Sequence, residues 1–202
     1  MRKGEQSKRK ILLVAFKLFA TRPYEAVSFK VLETEIGISR GSMIYYFKNK
    51  EGLFKEILKT FFFASSSVKS VPEAYRLSLY SFFSYFIETL KKEKQNLKVI
   101  GIENLNEALM RIENSALTYI ENFKDIAYSW FEEETEIWHC VLEKSIRSGE
   151  ISSNIDPKVY AGIFELCYLG KSFTGVFTKT GYDIDKLENY FQSLYNSIKI
   201  NN

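Results

Sequence analysis

Apolar positions in the first quarter of the chain recur with a helical period. Leu12, Ala15, Phe16 and Phe19 stand at i, i+3, i+4 and i+7, one apolar face of a helix over residues 5–21. The pattern breaks at Thr21-Arg22-Pro23, because a proline disfavours helix in the residue before it. Ser28 can cap a short second helix over 28–35 that turns Val31 and Leu32 inward, and Gly37 suits the sharp turn that ends it. Ser39 caps a third helix over 39–47, with Met43 and Phe47 on its inner side, and Asn49 caps a fourth that carries Leu53, Phe54 and Leu58 inward. Two short helices joined by a glycine turn, after a longer helix, form a helix-turn-helix unit.

Past residue 60 the pattern changes. Residues 61–70, FFFASSSVKS, end the fourth helix or form a joint. Residues 72–91 are apolar nearly all round, which predicts a helix buried on several sides. Residues 94–122 predict two helices with a break around 101–105. A strong pattern over 125–148 stops at Gly149, Asp156-Pro157 opens a helix to 177, and a last helix starts near 183. No strand alternation is present. The expected fold is all α, with a three-helix head over 1–50, a connecting fourth helix over about 49–65, and a helical body over 51–202.

Charge sharpens this division. Residues 1–60 hold 13 Lys and Arg against 6 Asp and Glu, while residues 61–202 hold 15 against 19. A basic head on an acidic body points to an anionic partner, with nucleic acid first and an anionic membrane surface second. The longest apolar stretch, 160–178, contains Glu165 and Lys171, so no membrane span is expected. No signal-peptide pattern is present, and the expected location is the cytoplasm.

Candidate enzyme chemistry is sparse. Cys140 and Cys167 make no metal or redox spacing. Glu136-x-x-His139 has the spacing of a di-iron bundle ligand pair, but such a site needs a second pair and His139 is the only histidine. There is no glycine-rich phosphate loop. The expectation is a protein with no catalytic residues, no metal and no cofactor.

Residues 37–54 read GISRGSMIYYFKNKEGLF. Together with Lys10-Ile11-Leu12, Ala15, Leu18-Phe19 and Val27-Ser28-Phe29, this stretch resembles the DNA-binding domain of the TetR (tetracycline-repressor) family of bacterial transcription regulators. Residues 148–170, SGEISSNIDPKVYAGIFELCYLG, are similar to the junction between that family's two C-terminal interface helices. Ile44 stands where the family usually has a tyrosine, and Pro23-Tyr24 where it often has Gly-Tyr.

In a helix-turn-helix the recognition helix enters the major groove of double-stranded DNA. Arg40 is the expected base reader, since its fork suits guanine O6 and N7. Gly41 allows close approach, and Ser42, Tyr45 and Tyr46 offer hydroxyls. Lys48 and Lys50 add charge, and Ser28 presents a hydroxyl and helix amides to a phosphate. The resemblance further implies a homodimer built on the helices at 125–148 and 156–177, with Trp138, Leu142, Phe164, Tyr168 and Phe173 as expected contributors. Gly162, Gly170 and Gly175 taken alone do not share one helical face.

The resemblance also implies a pocket in the middle helices, with Phe82, Phe83, Phe86, Trp130 and Phe131 as expected walls for an apolar or aromatic effector. The resulting expectation is a ligand-responsive regulator, a repressor that binds a palindromic operator as a dimer and is released by its effector. The alternative is a helical small-molecule-binding or adaptor protein with no DNA role.

Overall fold

The computed structural model describes residues 3–64 and 67–200 of the chain. Ser65 and Ser66, within the joint expected at 61–70, lie outside the described residues. Among these residues nine α-helices account for nearly all regular structure: α1 (Lys3–Thr21), α2 (Phe29–Ile36), α3 (Arg40–Phe47), α4 (Lys50–Ile57), α5 (Leu79–Val99), α6 (Leu105–Tyr119), α7 (Phe123–Arg147), α8 (Pro157–Gly175) and α9 (Ile184–Ile198). The only β pairing among them is an isolated bridge, Ile151 to Lys199, that ties the end of α9 to the turn after α7.

Local chemistry sets the ends of the short head helices. Ser28 Oγ accepts from Val31 N, Ser39 Oγ from Ser42 N and Asn49 Oδ1 from Gly52 N, so each start has a side chain for an otherwise unpaired amide. Gly37 closes α2 at φ 69, a left-handed conformation that glycine takes without a Cβ clash.

One expected boundary differs. The helix foreseen over 72–91 begins at Leu79 and runs on to Val99. The apolar run before it is spent on a 3-10 turn, Glu73–Tyr75, and Ser78 is the true cap. Glu150 fixes that start from below: its carboxylate accepts from the Leu79 and Tyr80 amides, each at 3.0 Å.

Two apolar clusters fill the molecule. The first joins the inner faces of α1 to α4 with Ile102, Ala108, Ile112, Ala116 and Ile120, so α6 completes the core of the head. The second lies among α5, α7, α8 and α9 around Trp138, which is 1% exposed. Its indole stacks on Phe164 at 5.0 Å and meets the edges of Phe82 and Phe191 at 4.8 and 5.4 Å.

Between the clusters, α4 loosens into a π-helical turn, Leu58–Phe63. Its neighbouring rings face different ways: Phe61 stacks on Phe16 of α1 at 4.2 Å, while Phe62 reaches Trp130 of α7 at 5.4 Å. The Trp130 indole N–H donates to the Phe63 carbonyl at 3.1 Å, and buried Glu134 accepts from Ser67 Oγ and Val68 N. The joint after α4 is therefore pinned to α7.

Candidate functional site

The head presents α3 with its apolar side inward. Met43 and Phe47 are buried in the first cluster, so the opposite side carries Arg40, Gly41, Ile44, Tyr45 and Lys48 to the surface. Tyr45 is 83% exposed, unusual for a large ring with no partner chain in contact. Ser28 and Ser42 sit at the starts of α2 and α3, each beside amides that a phosphate could share. Ser42 Oγ lies 3.1 Å from Ser39 Oγ, and Glu33 of α2 accepts from the Arg40 amide at 3.2 Å. Both contacts hold the first turn of α3 in place and leave the Arg40 side chain exposed.

Two residues expected at this surface point elsewhere. Tyr46 is half-buried against the head core, with its ring next to Tyr45 and Phe47 and its hydroxyl close to Gly4 of α1. Lys50 donates to the Tyr24 carbonyl at 2.9 Å and its ammonium stands 3.9 Å over the Tyr24 ring. Burial there lowers its pKa, partly countered by the charge of Glu25. The reason is local: Lys50 opens α4 beside the turn that follows α1, and the Tyr24 carbonyl, which already accepts from Val27 N, takes the ammonium as a second donor. Tyr24 continues the chain of contacts by stacking on Tyr119, at the end of α6, at 4.4 Å.

The link from α3 to α4 is tight. Lys48 has φ 65 and ψ −56, and the Asn49 amide donates to the Phe47 carbonyl at 2.8 Å, the geometry of a strained γ-turn. A Cβ on Gly52 would stand 2.1 Å from that same carbonyl. Gly52→Ala is therefore expected to force this turn apart and lower stability by about 1–3 kcal/mol, the usual cost of overpacking. A thermal melt at the wild-type midpoint would show instead that the turn yields freely.

A cavity of about 210 Å³ lies below the head. Its lining includes Phe62 from the π turn, Leu105, Leu109, Met110 and Glu113 from α6, Trp130 and Phe131 from α7, and Tyr168, Ser172 and Phe173 from α8. Trp130 and Phe131 thus stand where the sequence placed a pocket. Phe82, Phe83 and Phe86 do not: they are buried in the second cluster, packed around Trp138, Phe191 and Tyr168. Glu113 and the α6 residues were missed, although Leu105, Leu109 and Glu113 at i, i+4 and i+8 put a carboxylate on an otherwise apolar stripe.

The expected interface residues divide in the same way. Trp138, Leu142 and Phe164 are fully enclosed by their own chain and have no surface to offer a copy; Tyr168 lines the cavity. Phe173 is 56% exposed and falls on an outward stripe of α8 with Val159, Gly162, Leu166 and Gly170. Spaced three or four apart, these positions share one helical face, and a Cβ on Gly162 or Gly170 would touch nothing within 4 Å.

Residues 11–57 match the family model described as bacterial regulatory proteins, tetR family. Over that stretch the chain is similar to the TetR family. Its head is the part that the family model covers, and TetR-family proteins are helix-turn-helix, DNA-binding transcription regulators, not enzymes. No curated protein matches it in sequence. Solved structures match in fold over nearly the whole length. The regulatory protein TetR from Rhodobacter sphaeroides superposes with a TM-score of 0.67 at 12% identity, over 94% of this chain and 97% of that one. NalD of Pseudomonas aeruginosa, the secondary repressor of the MexAB-OprM multidrug efflux pump, gives 0.63 at 17% identity over 98% of each chain. The SmeT–triclosan complex gives 0.63 at 14% identity, over 97% and 93%. Among the described residues no helix of this chain is long and apolar enough to cross a membrane.

Proposed function

We propose that this protein is a dimeric repressor of the TetR family whose heads read a palindromic operator and whose cavity holds the small molecule that releases it. The observation that carries the DNA reading is the outward face of α3, with Arg40, Gly41, Ile44, Tyr45 and Lys48 exposed on a helix held rigidly by Met43 and Phe47. Arg40 would read a base, Ser28, Ser42 and Lys48 would meet phosphates, and Tyr45 with Ile44 would offer apolar contact to thymine methyls. Tyr46 and Lys50 would act by holding α3 and α4 against Tyr24 and α1. Residues 1–50 would carry the DNA contacts and residues 51–202 the effector and the dimer contacts.

The layout of α6 supports the release step. One face of this helix lines the cavity with Leu109, Met110 and Glu113, and the adjoining face packs Ala108, Ile112 and Ala116 into the head core. The π turn does the same with Phe62 and Phe61. A molecule that fits the cavity better in one setting of α6 would shift the heads by that difference in affinity. NalD is a repressor, and SmeT is seen with triclosan, which fits such a reading. The exposed stripe of α8 supports the dimer, because two copies would place the heads on half-sites about 34–36 Å apart.

The test is binding of the purified protein to a duplex from upstream of its own gene, beside a scrambled duplex, across a salt series. The expected result is tight, salt-sensitive binding that prefers the native sequence. Arg40→Ala is expected to lose roughly 1–3 kcal/mol on the native duplex and little on the scrambled one. Equal losses on both would remove Arg40 from base reading, and no binding at low salt would sink the DNA role.

A further inference from the structure

Two polar side chains of the cavity wall, Glu113 and Ser172, stand without partners among the described residues. Glu113 lines it with no hydrogen bond or ion pair to any described residue. Burial pushes its carboxyl pKa above the usual carboxylate range. The other charged lining residue, Lys94, donates to the Tyr182 carbonyl at 2.9 Å and forms no ion pair with Glu113. On the α8 wall the buried Ser172 hydroxyl is without a hydrogen-bond partner among the described residues. Around these two stand the rings of Phe62, Trp130 and Phe131 and the side chains of Leu105, Leu109 and Met110.

A carboxylate left alone in a largely apolar wall opposes folding, because nothing in the protein replaces the water it loses. An uncharged hydrogen-bond donor would satisfy the Ser172 hydroxyl but would leave that carboxylate unbalanced. A cation answers both: its charge faces Glu113, its N–H groups reach the free oxygens, and aromatic faces attract it as well.

We propose that the cavity binds a cationic amphiphile, one ammonium group on a compact apolar or aromatic body, with Glu113 as its counter-ion, Ser172 as a hydrogen-bond partner and the Trp130 and Phe131 rings along its body. This rests on the cavity being the effector site, and it narrows the effector from apolar in general to apolar with a positive charge.

The test uses the full-length protein without DNA, so its result is independent of whether an operator is bound. Three probes share one body and differ in charge: 4-phenylbutylammonium, 4-phenylbutanol and 4-phenylbutyrate. Titration calorimetry, with intrinsic tryptophan fluorescence as the second readout, is expected to rank the ammonium roughly tenfold or more above the alcohol, as one charge-assisted contact supplies. Glu113→Gln is expected to reduce that preference to less than about threefold while leaving the alcohol's affinity in place. The variant is expected to melt no lower than wild type, which separates a lost counter-ion from a lost fold. Equal or tighter binding of the alcohol or the carboxylate, an unchanged preference in Glu113→Gln, or no saturable binding of the ammonium would each overturn the proposal.

Discussion

Trp138→Ala is expected to lower stability by about 3–5 kcal/mol, the range for removing a large aromatic from a packed core. The indole fills the centre of the second cluster, stacked on Phe164 and edged by Phe82, Phe86 and Phe191. These neighbours come from three helices, α5, α8 and α9, each held by its own contacts, so they cannot all collapse into the space an indole leaves. A thermal melt at fixed protomer concentration should fall by on the order of 10 °C for a chain of this size. A midpoint within a degree of wild type would place Trp138 at a relaxed surface and return it to the interface role that the sequence suggested.

The complementary change is Leu166→Glu on the outward stripe of α8. Leu166 is 68% exposed, so within one chain the substitution is expected to cost under about 0.5 kcal/mol. Across a two-fold axis it would set charges near one another in place of apolar contact. The expected outcome is a folded monomer by sedimentation, with operator affinity reduced on the order of 100-fold or more, since two linked heads gain that much from their second contact. A variant that still sediments as a dimer and binds the operator like wild type would move the interface off α8. The pair of results discriminates: Trp138 acts on the fold of one chain, Leu166 on the joining of two.

The head was legible because its determinants are local. Ser28, Ser39 and Asn49 each satisfy an amide three residues away, and Gly37 takes a conformation that glycine favours; such rules need no knowledge of the rest of the chain. The body was legible as helices but not as surfaces. Phe86 and Phe131 are alike in sequence, and only the helix lying opposite decides that one ring meets Trp138 and the other a cavity. The same holds for α8, where Phe164 points to the core and Phe173 outward. Lys50 shows the limit within the head: its charge was readable, but the carbonyl that claims it belongs to Tyr24, 26 residues earlier. At α5 an apolar run before Ser78 counted as helix because composition cannot tell a packed 3-10 turn from a helical one.

The sharing of one core between α1 and α6 bears on how such proteins diversify. A reader of DNA that closed its own core could be moved intact onto any sensor, as a plug fits any socket. Here Ala108, Ile112 and Ala116 of the body are walls of the head's core, and Tyr119 stacks on Tyr24 across the seam. A head transplanted alone would arrive with its α1 side stripped and would have to find a new α6 of matching relief. Under the proposed function, new operator preferences arise by changing the open face of α3 alone, whereas a new sensor has to evolve beneath the head it already carries.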